Sequence, residues 1–196
     1  MNPITHLLSG WLLAGSAGPL TKREQTLVTL AAVAPDLDGL GLLAELPTRD
    51  SAHPLLWWSE YHHLLAHNLP FACVLAAGSA LLSRRSHPFV TATLVFLAVH
   101  LHLLGDLAGS RGPDGYPWPI PYLYPFSPEP QLTWSGQWAL NAWPNIVLTV
   151  AFLAATFFLA WRRGYSLIGL ASRRADAAFI AALHARFGEP FLNQRP

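Results

Sequence analysis

The stretch "PFVTATLVFLAVHLHLLGD", residues 88–106, decides how this chain is read. Its first part is apolar without a charged interruption, as a segment facing lipid hydrocarbon must be. Its end carries His100, His102 and Asp106, groups that lipid rejects. Ionisable side chains inside membrane helices are rare, face the bundle interior and mark functional sites by default. His102 and Asp106 are four residues apart, so on a helix they project from one face about one turn apart. That spacing lets both groups bind one metal ion, or lets the carboxylate orient the imidazole. His100 falls roughly on the other face and reads as structural.

The totals fit a membrane protein. Hydrophobic residues make up 52% and charged residues 12%, with mean hydropathy +0.31; that charged share is about half the usual one in soluble domains. A net charge of +1 gives no basic field, which argues against nucleic acid as a partner. The single cysteine, Cys73, sits in an apolar run and reads as a small buried hydrophobe.

Outward from this stretch, residues 138–161 form a second uncharged segment long enough to span, which takes about 20 residues. Residues 64–82 are nearly as long and keep their polar groups at the start. Residues 4–18 are apolar but short; lacking a basic leader, they read as a retained helix and not a signal peptide. Residues 26–46 are broken by "PDLD". A proline inside a helix removes a hydrogen bond and clashes with the preceding turn. A short helix is therefore expected to end near Ala34, with a second piece after Gly39.

Cytoplasmic loops carry the excess of Lys and Arg. Ten of the twelve cations fall on one side: Lys22, Arg23, Arg84, Arg85, Arg162, Arg163, Arg173, Arg174, Arg186 and Arg195. Arg49 and Arg111 fall on the other. The expected arrangement is an all-α, integral membrane bundle of four to five helices over residues 1–164, N-terminus out and C-terminus in. Residues 109–137 form an aromatic, proline-rich extracytoplasmic loop. Residues 165–196 form a cytoplasmic tail, in which 172–187 has the apolar spacing of an amphipathic helix. That helix either lies on the membrane surface or packs on the bundle.

In this topology the polar residues that break the apolar pattern collect at one face. His6 lies at the outer start of the first segment. Asp36 and Asp38 lie at the outer end of the second, His62, His63 and His67 at the outer start of the third, and His102 and Asp106 at the outer end of the fourth. Histidine with carboxylate suits zinc, or manganese, and without paired cysteines a thiolate site is excluded. This many ligands leaves room for one or two ions. Two ions about 3.5–4 Å apart form the usual clamp for phosphoester hydrolysis. A metal-activated water would then lose its proton to Asp36, Asp38 or Asp106. The loop after Asp106 either roofs the site or forms an interfacial aromatic belt. Arg111 and Asp114 are its only charges before Glu129. Arg111 is the candidate for holding a substrate phosphate or carboxylate, with a plain turn residue as the alternative.

The serial motifs "THLLSG" (5–10), "APDLDG" (34–39), "HHLLAH" (62–67) and "HLLGD" (102–106) resemble those of the YdjM-like, LexA-regulated, membrane-bound metal-dependent hydrolases. The resemblance spans about residues 5–125. It implies a multi-pass protein of the bacterial cytoplasmic membrane with His6, Asp36, Asp38, His62, His67, His102 and Asp106 in its metal site. His63 stands where that family usually has Arg, which removes a cation or adds a ligand. The ligand order is also similar, more thinly, to that of zinc-dependent phospholipase C.

The expected activity is metal-dependent hydrolysis of a lipid ester or phosphoester, with membrane lipid as substrate. Two alternatives stand beside it. A metal-ion or proton transporter would need ionisable groups on the inner half as well, where His87 and His184 remain. A structural metal protein would close its site with four ligands.

Overall fold

The structure is a computed structural model and describes residues 1–112 and 115–190. Asp114 and residues 191–196 of the expected tail lie outside the described residues. The fold is all-α, with eight α-helices among the described residues and a single two-residue hairpin pair. Helix α1 runs Pro3–Ser16 and α2 Lys22–Ala31. A 3-10 segment, Ala34–Gly41, leads into α3, Leu42–Thr48. A short α4, Trp57–Tyr61, precedes α5, Leu69–Leu82, and α6, Pro88–Gly109. After the aromatic loop come α7, Trp143–Arg163, and α8, Arg173–Phe187.

Helix α6 is the centre of the bundle and packs against α5, α2 and α1. Its buried residues are Thr91, Leu94, Val95, Ala98, Val99, His102, Leu103, Asp106 and Gly109, one stripe at helical spacing. His102 and Asp106 therefore point inward because they continue the stripe that Leu94 and Val95 begin. Phe89, Leu97, Leu101 and Leu104 lie on the opposite, exposed face, which suits hydrocarbon as solvent. Helix α1 approaches α2 closely at Gly10, where a Cβ would stand 2.6 Å from the Ala32 Cβ. Small residues at a helix crossing permit this approach in membranes.

Two helices, α6 and α7, are each long and apolar enough to cross a membrane. At 1.5 Å per residue, α6 is roughly 33 Å long against a hydrocarbon core of about 30 Å. Helix α2 and the 3-10/α3 segment form a pair bent by 47°, readable as one broken span. The break falls where "PDLD" placed it, though α2 ends at Ala31 and the aspartates sit in the 3-10 segment. Helices α1 and α5 have 14 residues each, too few to cross alone. The four to five membrane helices expected are thus present as elements, but fewer have full spanning length. Helix α5 is shortened because Asn68 caps it by accepting from the Phe71 N–H at 2.9 Å and Pro70 sits in its first turn. Residues 62–68 are left as turns.

Cys73 corrects its expectation, since it is exposed on α5. Helix α5 is apolar all round and buries only Ala72 and Ser79, so hydrophobicity there does not report burial in protein. Helix α8 packs on α7 through Ala160, Ile180 and Leu183, and the Trp161 Nε1–H donates to the Gly188 carbonyl at 2.7 Å.

Candidate metal centre

The end of α2 prepares the site. The helix stops before Pro35, which frees the last carbonyls from intrahelical bonding. The Ala32 carbonyl accepts the Nδ1–H of His102 at 2.8 Å. A carbonyl can only accept, so Nδ1 carries the proton and Nε2 presents its lone pair. His67 is set by the same logic. Its Nδ1–H donates to Asp38 Oδ2 at 3.0 Å, so in the neutral ring its Nε2 also presents a lone pair. The two Nε2 atoms face each other at 3.0 Å. Asp106 Oδ2 lies 2.9 Å from the first and 3.3 Å from the second. Asp36 Oδ1 stands 3.7 Å from His102 Nε2, and Asp36 Oδ2 is buried with no partner among the described residues.

These ligand atoms of Asp36, His67, His102 and Asp106 all lie within 4.8 Å of one another. Four acceptors in that space repel unless a cation or added proton sits among them. Ligands about 2.0–2.2 Å from a tetrahedral ion stand roughly 3.3 Å apart, which matches these separations. The donor set of two imidazoles and two carboxylates can hold a divalent metal ion.

The remaining residues surround this group. Asp106 Oδ1 faces His6 Nε2 at 3.2 Å and the Met1 amine. The His6 ring stacks on His102 with centroids 3.7 Å apart. Gly105 allows that fit, because a Cβ there would lie 3.1 Å from His6 Cε1. Asp38 accepts from three groups: His62 Nδ1 at 2.8 Å, His67 Nδ1 and the Ala66 N–H at 3.2 Å. It acts as the carboxylate behind the histidines. Asp38, His62 and His67 form a second potential ligand group. It shares His67, and a neutral imidazole offers one lone pair. His63 lies beside the cluster, its Nε2 3.9 Å from Asp106 Oδ2. It adopts the left-handed conformation (φ 68°), uncommon for a residue with a Cβ. Burial pushes its pKa well below the ordinary histidine value. Its Nδ1 is buried without a partner among the described residues. His63 and His67 are four apart in sequence, but that stretch is a turn, so their convergence comes from the turn itself and not from one helix face.

All eight ligand candidates from the sequence, His6, Asp36, Asp38, His62, His63, His67, His102 and Asp106, thus meet in one place. His100 lies apart, with its Nε2 at 2.9 Å from the Tyr122 hydroxyl. Arg111 follows the end of α6. Its Nη2 donates to the Ser135 carbonyl at 2.6 Å, while its Nε is buried with no partner among the described residues.

Three site residues carried no signal of their own in the sequence. Trp118 comes from the aromatic loop and lies over His63, with ring centroids 4.3 Å apart. Trp58 stacks on His62 at 5.4 Å. Buried Gln137 ties the loop down: its Nε2 donates to the Asp106 carbonyl and its Oε1 accepts the Trp118 N–H, each at 2.8 Å. The loop therefore roofs the cluster. A cavity of about 1030 Å³ runs beside it, lined by residues including Asp36, His62, His63, Asp106, Arg111 and Trp118.

The fold and this cluster define a helical membrane protein with a buried His/Asp group able to hold a metal ion. The chain belongs to the YdjM inner membrane protein family, whose sequence profile matches residues 1–185. No curated protein and no solved structure matches it.

Proposed function

We propose that this protein is a membrane-bound, metal-dependent hydrolase of a lipid ester or phosphoester. The supporting observation is the pair of opposed lone pairs on His67 and His102, 3.0 Å apart and backed by Asp106. His67, His102, Asp106 and Asp36 would hold one ion, zinc by donor type and manganese as the second fit. Such an ion, when bound, polarises an ester or phosphoryl oxygen and acidifies water. Asp38 and the Ala32 carbonyl keep both imidazoles in the ligating tautomer. Asp36, whose Oδ2 has no partner among the described residues, takes the proton from the attacking water. Trp118 and Trp58 exclude bulk water from the reacting centre. The cation asymmetry of the sequence supports a site on the extracytoplasmic side of a bacterial inner membrane, in a multi-pass chain.

Transport is the second reading, and the inner end of α6 weighs against it. The buried carboxylate there, Glu24, has its oxygens taken by Thr21, Ser86, His87 and Thr91.

The test uses detergent-purified protein with zinc, assayed on carboxyl-ester and phosphoester lipids. Turnover that a chelator abolishes and zinc restores, and that Asp36→Asn lowers by more than its loss of zinc affinity explains, is the expected result. Metal-loaded protein inert on both lipid classes would overturn the hydrolase reading.

A further inference from the structure

We infer that the cavity beside the cluster takes an anionic phospholipid from within the membrane, its phosphate between the cluster and Arg111 and its acyl chains along Leu40, Leu42 and Leu140. This rests on the metal-site reading above and names the ligand class for it. The cavity lining divides by chemistry. Asp36, Asp106, His62 and His63 line it, and so do Leu40, Leu42 and Leu140. A soluble substrate has no use for the second group.

Arg111 selects the headgroup. Its backbone is fixed by N–H donation to the Trp138 carbonyl at 3.1 Å, and one guanidinium nitrogen is occupied by Ser135. Among the described residues the buried Nε has no partner, and no carboxylate pairs with the charge. A buried donor left unmet is costly, and a planar guanidinium suits phosphate. A divalent ion neutralises the charges of Asp36 and Asp106, so among the described lining residues the charge of Arg111 is left over. A neutral carboxyl ester would leave that charge unanswered; a phosphate answers it.

The chain path follows from the 3-10 segment and α3. Leu37, Leu40, Leu43 and Leu46 recur every third residue and are all more than half exposed. At 3-10 spacing, side chains three apart eclipse, so Leu37 and Leu40 line up on the segment that carries Asp36, and Leu43 and Leu46 follow at i, i+3 spacing on α3. Leu40 belongs both to this exposed apolar row and to the cavity lining, which gives acyl chains a path between the two.

The test measures binding without turnover, so a failed hydrolase assay leaves it standing. Zinc-loaded full-length protein in detergent is examined by native mass spectrometry. The probes are the phosphonate analogue of phosphatidic acid, whose carbon–phosphorus bond resists hydrolysis, diacylglycerol with the same chains, and inorganic phosphate. The expected result is retention of one phosphonate lipid, at least about tenfold tighter than diacylglycerol, as one charge-assisted contact provides. Arg111→Gln should lose that preference. Leu40→Gln, an exposed position that leaves folding intact, should weaken the lipid several-fold and leave inorganic phosphate unchanged. Equal retention of both lipids by the unaltered protein would overturn the proposal, as would an unchanged preference in Arg111→Gln. Inorganic phosphate binding as tightly as the phosphonate lipid would also overturn it, and would make a soluble phosphate compound the ligand.

Discussion

The two ends of α6 each bury a carboxylate, and they treat it in opposite ways. At the start of the helix, Glu24 of α2 docks against the α5–α6 turn. One oxygen accepts from Ser86 Oγ, the His87 N–H and Thr91 Oγ1 at 2.7–3.2 Å; the other accepts from the Thr21 N–H and hydroxyl at 2.7 and 2.9 Å. Donors fully meet acceptors, as a structural staple requires. At the far end, Asp106 Oδ1 is met by the Met1 amine and His6 Nε2, but Oδ2 faces the Nε2 atoms of His67 and His102, whose Nδ1–H groups donate elsewhere, and Asp36 Oδ2 and His63 Nδ1 have no partner among the described residues. A buried polar group that serves stability is satisfied by the protein itself. One that awaits a ligand is left unsatisfied at a cost in free energy.

The comparison breaks most directly at Glu24. Glu24→Leu strands the donors around it and should lower stability by about 2–4 kcal/mol, read from chemical unfolding in detergent. Zinc affinity of the folded protein should not change. A parallel fall in zinc affinity would mean that the two ends act as one unit. His102→Ala should do the reverse, costing at least about 100-fold in zinc affinity, read by competition with a chromophoric chelator. Zinc should raise the unfolding midpoint of the unaltered protein and of Glu24→Leu, by mass action, and not that of His102→Ala.

Asp38→Asn sharpens the contrast within the end that carries the cluster. The acceptor behind His67 and His62 is weakened while the ligands remain, so zinc affinity should drop about 10–100-fold, with little change in unfolding. Gln137→Leu is the smallest change. It frees the Trp118 N–H and the Asp106 carbonyl from one partner each, which should cost about 1 kcal/mol of stability and leave zinc affinity intact.

What could be read in advance followed periodicity. His102 and Asp106 were legible because the apolar stripe of Leu94, Val95, Ala98 and Val99 runs into them at helical spacing. Pro35 announced the break that puts Asp36 and Asp38 between two helical pieces. What escaped depends on long-range contact. The turn at 62–68 and the left-handed His63 are set by the cap at Asn68 and by the aspartate that two histidines share, neither of which leaves a local pattern. Trp118 and Gln137 reach the site only after the 110–142 segment folds back over the end of α6. Glu24 looked like part of a solvated basic turn, "TKREQ", yet it is fully buried, because its partners lie about 60 residues downstream. Cys73 misled for a different reason: in a membrane the apolar exterior and the apolar interior look alike in sequence.

The most direct measurement is zinc titration of metal-stripped protein in detergent, with His67→Ala and His102→Ala beside it and Glu24→Gln as the control at the satisfied end. One tightly bound zinc in the unaltered protein and in Glu24→Gln, lost in both histidine variants, is the predicted result. Full zinc binding by both histidine variants, or none by the unaltered protein, would contradict a metal centre built on His67 and His102.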